Sequence, residues 1–346
     1  MLAIHSRLSW RWLRPWPDSV CYLHRSHRGG APPIITFKSY PPPPPGYVVQ
    51  TSRLAVVLSL LAGSFDKPRA ATPGSHLGHI YRGHRVLPRI QPFTKAGKGD
   101  VSSHVLVTSL EEVYENAISL LHDVVERPGR PGFRLATGSL HRAELSVALR
   151  PVGPSALAIL VEELSRLGAR VIMHLDTGLA ISPSLGIGSV VLATAAIKGD
   201  GVSKTYAPIE VPAIPDYSLL RHIQQSLEVH NIKTVAGVVW SLDTFYLNEQ
   251  LLEHGARLYG KIALAVDMDT ASLFTVSMNR KLMSASVLVI ESSLPKGIER
   301  GSSYLEDESD ELRRKVFDSI DKLLKPLLEA LALHMEKMKS KVNARI

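Results

Sequence analysis

Residues 153–216 read GPSALAILVEELSRLGARVIMHLDTGLAISPSLGIGSVVLATAAIKGDGVSKTYAPIEVPAIPD and contain the clearest structural signal in the chain. A Gly-Pro turn leads into a segment whose apolar residues recur every three or four positions, which predicts a helix with one buried face. Ser155 is suited to cap the start of this helix, and Gly168 is suited to end it. Two β-branched runs follow, at 171–173 and 190–192, and predict buried strands. This order of elements predicts an α/β domain.

Two motifs further along the chain add to this unit. Residues 241–246 read SLDTFY, and residues 267–273 read DMDTASL. In this order and at these separations, the three segments resemble the nucleoside phosphorylase family, and most closely its uridine phosphorylase branch. The first motif is similar to the family's S-x-D-x-F-Y, and the second to its E-M-E-x-A-x-L. The resemblance extends from Gln91 to the C-terminus.

The resemblance implies a three-layer αβα sandwich around a mixed β-sheet, with a C-terminal helix. The chain after Gly301 agrees with this, because acidic residues at 306–308 precede leucines at helical spacing and late lysines, which suits the helix dipole. A coiled-coil partner helix is the alternative interpretation. The family also implies a homo-oligomer built from dimers, up to a hexamer, with sites at subunit boundaries.

The nucleoside half of the family's site is largely kept. The resemblance assigns Met268 and Asp269 to the ribose, because the family's carboxylate at the latter position accepts hydrogen bonds from ribose hydroxyls. Asp269 keeps the acceptor on a side chain that is one methylene shorter. Its alternative role is the N-cap of a helix predicted over residues 270–278. Phe245 matches the aromatic residue that contacts the base.

The residues that would read the base differ from those of the uridine branch. That branch has a Gln and an Arg after the aromatic residue, whereas Glu249 and Leu251 occupy these positions here. Glu249 can accept from an exocyclic amine or a purine N–H, so uracil specificity is not expected. The purine branch carries an Asp after its last strand, where Ser292 stands. Glu291 is one position away and would point to the other face of a regular strand.

The phosphate site departs most from the family. Ser109 and Val113 stand where the family has a phosphate-binding glycine and arginine. We assign Met173 to the position of a second arginine, and Asp176 falls in the Gly-Thr pair that follows it. A carboxylate at this place would repel phosphate. Weak phosphate binding is therefore expected.

Two arginines remain as candidates for binding phosphate. Arg150 lies in the altered loop before the helix, and Arg130 falls where the family has an arginine donated by a neighbouring subunit. Phe93 replaces a family histidine that also reaches across the dimer. The alternative is that both arginines belong to the surface. Phosphate is expected as a co-substrate if the protein is active, with no other cofactor and no metal.

Composition narrows the remaining classes of function. The chain has 346 residues and a net charge of +8, but residues 1–80 contain nine Lys or Arg and only two Asp. The rest is nearly neutral, so no nucleic-acid partner is expected. Cys21 is the only cysteine, which excludes a disulfide framework and favours a cytoplasmic location. The apolar run at 54–61 is too short to span a bilayer, so no membrane association is expected.

The N-terminal region differs in kind from the rest. Residues 1–84 are basic and rich in proline, with an unbroken run of five prolines at 41–45, and predict a disordered tail. A membrane- or RNA-contacting arm, or a start site assigned too far upstream, are the alternatives. Residues 85–346 form the predicted phosphorylase-like domain.

These observations predict a uridine phosphorylase-like protein that binds a nucleoside and acts on its N-glycosidic bond. Such a protein is a pentosyltransferase of nucleoside salvage. One alternative is a non-catalytic protein that binds nucleosides or completes a partner's site. The other is a nucleosidase in which water attacks, with Asp176 as the only nearby candidate for a general base.

Overall fold

The computed structural model describes residues 20–26, 34–40, 89–246, 249–302 and 310–343. The chain divides into two compact units, Met1–Arg85 and Val86–Ile346. In the first unit, strands β1 (Val20–Ser26) and β2 (Ile34–Tyr40) pair antiparallel along their whole length. The proline run and the apolar run at 54–61 lie outside the described residues. The tail over residues 1–84 stays a prediction.

The second unit is a mixed α/β fold. Its strands are β3 (His104–Thr108), β4 (His122–Pro128), β5 (Arg134–Leu140), β6 (Ala143–Leu149), β7 (Val171–Ala180), β8 (Val190–Lys198), β9 (Thr234–Ser241), β10 (Ala263–Asp267) and β11 (Met283–Ser293). Its helices are α1 (Glu111–Ser119), α2 (Pro154–Leu167), α3 (Gly201–Tyr206), α4 (Tyr217–Val229), α5 (Glu249–Tyr259), α6 (Thr270–Arg280) and α7 (Asp310–Asn343).

The strands β3 to β11 form one mixed sheet in the order β10-β9-β8-β11-β7-β3-β6-β5-β4. Strand β7 also pairs antiparallel with β10, through Leu179 with Val266 and Ala180 with Ala265. This extra pairing curls one part of the sheet onto itself. The pairing holds the C-terminal half of β10 beside the C-terminal end of β7.

Helices cover both faces of the sheet. Apolar residues of α1, α4 and α7 pack on one face, and those of α2 and α6 pack on the other. The predicted three-layer fold with a C-terminal helix is confirmed. The leucine stripe of α7 faces the sheet, since Leu323, Leu324, Leu327 and Leu328 are all at most 2% exposed.

The start of α2 differs from the prediction. Gly153 is the N-cap residue, at φ 110°, and Pro154 is the first helical residue. Ser155 lies inside the first turn and makes no cap hydrogen bond. Proline favours the first helical position, because its missing N–H would have no helical partner there. Gly168 ends the helix in the left-handed conformation at φ 115°, as predicted.

Among the described helices, none has both the length and the apolar character that crossing a bilayer requires.

Candidate functional site

A cavity of about 340 Å³ opens beside the middle of β7. The segments that follow β3, β6, β9, β10 and β11 form its walls. Three residues assigned from the sequence line it together, namely Phe245, Met268 and Asp269. Ser109 and Asp176 lie on the side that the sequence analysis gives to phosphate. The cavity therefore contains both halves of the predicted site.

Asp267 caps helix α6, and Asp269 does not. Asp267 Oδ2 accepts from the backbone N–H groups of Asp269 (3.2 Å) and Thr270 (2.7 Å). Its Oδ1 accepts from Ser241 Oγ at 2.5 Å. Asp269 stands at the N-cap position but makes no side-chain cap hydrogen bond. The alternative role of Asp269 as a helix cap is therefore wrong, and its carboxylate is available for another partner.

That partner is Arg150, whose side chain is fully buried. Arg150 Nη2 donates to Asp269 Oδ2 at 2.7 Å and to Asp176 Oδ2 at 3.3 Å, and Nη1 donates to the Pro151 carbonyl at 2.9 Å. Arg150 is therefore not a surface arginine. Asp269 Oδ1 and Arg150 Nε are buried and meet no hydrogen-bond partner in the described part of the chain. Of these two atoms, Asp269 Oδ1 belongs to a residue that lines the cavity.

Strand β7 contributes a residue that the sequence analysis does not identify. His174 is fully buried, with Nε2 2.9 Å from Arg150 Nη2 and Nδ1 3.0 Å from Ser286 Oγ. Met173, assigned to the family's arginine position, instead packs in the hydrophobic cluster on the opposite face. The alternation of a strand gives the reason, because residues two apart share a face and Asp176 faces the site. His174 lies two residues before Asp176, and this spacing is the signal in the sequence by which it could have been found.

The two aspartates of this cluster have opposite pKa shifts. Burial acts to raise the pKa of Asp176, but the hydrogen bond and charge of His174, the charge of Arg150 and the Ser109 N–H outweigh it and hold that pKa well below its usual range. Burial raises the pKa of Asp269, and Arg150 only partly opposes this. Asp176 is therefore the firmly ionised member and a weak base.

A guanidinium nitrogen already occupies the place that a metal ion would take. His174, Asp176 and Asp269 place three ligand-type atoms within 4.8 Å of one another. Arg150 Nη2 lies 2.7 to 3.3 Å from one ligand-type atom of each of these three residues, His174 Nε2, Asp176 Oδ2 and Asp269 Oδ2. An internal cation therefore neutralises this cluster in part, and the donor set does not favour a metal.

A second arginine, Arg300, borders the cavity beside Phe245. Arg300 Cζ lies 4.5 Å from the centroid of the Phe245 ring. Arg300 Nε is 3.6 Å from Glu291 Oε1, and Glu291 Oε2 accepts from the Gly301 N–H at 3.2 Å. A β-bulge between Ile290 and Ser292 breaks the alternation of β11 at this point. The bulge explains why Glu291 faces Arg300, contrary to the orientation expected for a regular strand.

The remaining sequence assignments lie outside this cavity or outside the described side chains. Arg130 is exposed, donates to the Pro92 carbonyl at 3.0 Å and packs over the Phe93 ring at 5.2 Å. The two residues assigned to a neighbouring subunit's site, Arg130 and Phe93, are thus in contact with each other. Glu249 begins α5, but its side chain is not among those described. The roles of Arg130 and Glu249 stay predictions.

Residues 103–329 match the family model of the phosphorylase superfamily. A guanosine phosphorylase of Halorubrum lacusprofundi is 26% identical over 241 residues, which cover 70% of this chain and 98% of that protein. A uridine phosphorylase of Treponema pallidum is 32% identical over 163 residues, which cover 44% of this chain and 63% of that protein.

Solved structures show the same fold. The uridine phosphorylase of Vibrio fischeri ES114 superposes with a TM-score of 0.63 at 25% identity, covering 70% of this chain and 97% of that one. A purine nucleoside phosphorylase of Toxoplasma gondii, in complex with immucillin-H, gives a TM-score of 0.64 at 20% identity, covering 72% of this chain and 98% of that one. The family match spans well over half of the chain. The chain therefore belongs to the phosphorylase superfamily, within its nucleoside phosphorylases.

Proposed function

We propose that the protein binds a ribonucleoside in the cavity beside β7 and acts on its N-glycosidic bond, with phosphate as a weakly bound co-substrate. One observation carries this proposal. Phe245, Met268 and Asp269 line the same cavity, and Asp269 Oδ1 has no hydrogen-bond partner in the described residues. The volume of about 340 Å³ lies within the range of small-molecule sites.

The ribose is the part of the ligand that this cavity suits best. An ionised carboxylate oxygen only accepts hydrogen bonds, and a ribose hydroxyl can donate one to it. Because Asp267 caps α6, the Asp269 carboxylate is not used by the helix. Arg150 holds Asp269 Oδ2 and so fixes the direction of the carboxylate. A ribose hydroxyl would complete the hydrogen bonding of Oδ1.

The charge of the cavity favours the chemistry that a ribosyl group undergoes. Cleavage of an N-glycosidic bond builds positive charge on the sugar, and negative groups fixed around it stabilise that charge. Arg300 is the one arginine among the cavity-lining residues. The walls carry five acidic side chains, those of Glu111, Glu112, Asp176, Asp267 and Asp269. This excess of carboxylates supports stabilisation of a ribosyl cation.

The same excess opposes phosphate. Arg150 would be the natural phosphate ligand, but two carboxylates already hold its Nη2. Asp176 stays ionised and adds a like charge. This arrangement favours, as a second candidate function, a non-catalytic protein that binds nucleosides. A nucleosidase is less favoured, because the low pKa of Asp176 makes it a poor general base for water.

Release of free base tests the proposal. The full chain is incubated with uridine, inosine, guanosine, adenosine and cytidine, with and without phosphate, and products are separated by chromatography. We expect slow release of base from at least one nucleoside, with a rate that rises with phosphate and does not saturate at physiological phosphate concentrations. Asp269→Asn should abolish this release. Tight binding of a nucleoside without any release would select the non-catalytic function.

A further inference from the structure

Arg300 is a buried cation, and two of its guanidinium nitrogens have no hydrogen-bond partner among the described residues. Its side chain is 8% exposed and lines the cavity. Nε and Nη1 have no hydrogen-bond partner in the described residues. The ion pair with Glu291 is 3.6 Å long, which exceeds a hydrogen bond. A buried charged donor without an acceptor is costly, so the free protein holds Arg300 at the expense of stability.

The surroundings fix this guanidinium in place. The Phe245 ring lies under it, with Cζ 4.5 Å from the centroid, which is a favourable distance for a cation over an aromatic face. Glu291 is fully buried and holds the same loop through the Gly301 N–H. Its position depends on the bulge in β11. An arginine held on both sides in this way is suited to recognise a ligand atom in one fixed position.

We propose that Arg300 donates a hydrogen bond to a carbonyl oxygen of the nucleoside base, so that the cavity selects oxo bases over amino bases. The proposal rests on the nucleoside-binding function proposed above. It assigns base recognition to the loop after β11, whereas Glu249 and Leu251 stand at the positions where the sequence analysis expects the readers of the base. A guanidinium has only donors, so it can donate to a carbonyl oxygen but cannot accept a hydrogen bond from an exocyclic amine.

Two observations favour a base carbonyl over phosphate as the partner of Arg300. Phe245, the aromatic residue assigned to the base, is in direct contact with Arg300. The cavity also carries five acidic side chains, which repel a dianion but not a neutral carbonyl. The ligand class is therefore a ribonucleoside whose base has an oxo group on the edge remote from the sugar.

Calorimetric titration of the full chain with matched nucleosides tests this proposal. Inosine, purine riboside and adenosine carry an oxo group, a hydrogen and an amine at the same base position, and uridine and cytidine form a second pair. The wild-type protein should bind inosine about tenfold or more tightly than purine riboside, and adenosine no more tightly than purine riboside. Arg300→Met should reduce the inosine preference to within about threefold. Arg280→Met, which removes an arginine paired with Glu162 outside the cavity, is the matched control.

The outcomes separate this proposal from the one on which it rests. Binding of all the nucleosides with equal affinity, or an oxo preference that survives Arg300→Met, overturns the role of Arg300 and leaves nucleoside binding intact. If Arg300→Met weakens phosphate binding and leaves the base preference unchanged, Arg300 is an anion site and the proposal is wrong. The wild-type comparison of inosine with purine riboside does not depend on the folding of any variant. Failure of every nucleoside to bind overturns both proposals.

Discussion

Arg150 Nη2 lies 2.7 Å from Asp269 Oδ2, and neither side chain is more than 6% exposed. In this protein the residue assigned to the ribose is thus bound to the residue assigned to phosphate. The carboxylate proposed to bind the ribose and the arginine expected to face the anion neutralise each other inside the fold. Among the described residues, Asp269 Oδ1 has no hydrogen-bond partner and is available to the proposed ribose, whereas Arg150, which is expected to face the anion, is held by Asp269 and Asp176.

The Arg150 ion pairs make a testable contribution to stability. Arg150→Met leaves Asp176 and Asp269 buried without their cation, which should reduce the free energy of unfolding by roughly 3–5 kcal/mol. Urea denaturation followed by circular dichroism measures this. Arg257→Met removes an exposed ion pair with Glu253 and should change the free energy by less than about 1 kcal/mol. Equal effects of the two substitutions would show that the buried cluster is not held by Arg150.

Phosphate should bind weakly. Charged hydrogen bonds contribute roughly 1.5–3 kcal/mol each, so the loss of two weakens phosphate binding by about a hundredfold or more. Asp176→Asn removes a like charge and replaces the charged acceptor of one Arg150 hydrogen bond by a neutral one, and should strengthen phosphate binding by roughly tenfold. Isothermal calorimetry measures both proteins, with sodium chloride at equal ionic strength as the control. Submillimolar phosphate binding by the wild-type protein would contradict this prediction.

A buried histidine pair away from the cavity predicts a loss of stability in acid. His104 Nε2 lies 3.0 Å from His334 Nδ1, and burial, followed by the charges of His334 and Lys339, lowers the pKa of His104 from 6.5 to about 4. The unfolded chain binds this proton near pH 6.5, and the folded chain binds it only near pH 4. The contribution of neutral His104 is complete above pH 6.5 and is lost as the pH falls from 6.5 to 4.

The shift corresponds to a loss of about 3 kcal/mol across this pH range. Urea denaturation at several pH values measures it. Other groups also titrate in this range, so the readout is the difference in slope between the wild-type protein and His104→Gln. If the wild type and His104→Gln lose stability in parallel, His104 does not keep a lowered pKa in the folded protein.

The fold was predictable because its signals are local and repeated. The buried runs that became β7 and β8, and the leucine stripe of α7, each show their period within one segment. Residues 241–246 and 267–273 placed Phe245, Met268 and Asp269, and the structure brings these three to one cavity. Motif order and periodicity were sufficient for these elements.

The other features of the site could not be predicted, because each depends on the exact position of a single residue in the fold. In β7 the residue at the site is His174 and not its neighbour Met173, because successive residues of a strand face opposite sides of the sheet. The bulge in β11 turns Glu291 toward Arg300. The Arg150 ion pairs join segments that are 26 and 119 residues apart. Such contacts arise from tertiary packing, and no periodicity in the sequence specifies them.

One measurement tests the ribose assignment most directly. Calorimetry compares the affinities of a ribonucleoside and of its 2′-deoxy counterpart for the full chain, in the wild-type protein and in Asp269→Asn. We predict that wild type binds the ribonucleoside more tightly by roughly 1–3 kcal/mol, because Asp269 Oδ1 accepts from the additional hydroxyl. Asp269→Asn should remove that difference while the protein stays folded. If no ribonucleoside binds, or if Asp269→Asn keeps the full difference, Asp269 does not bind the ribose and the account of this cavity is wrong.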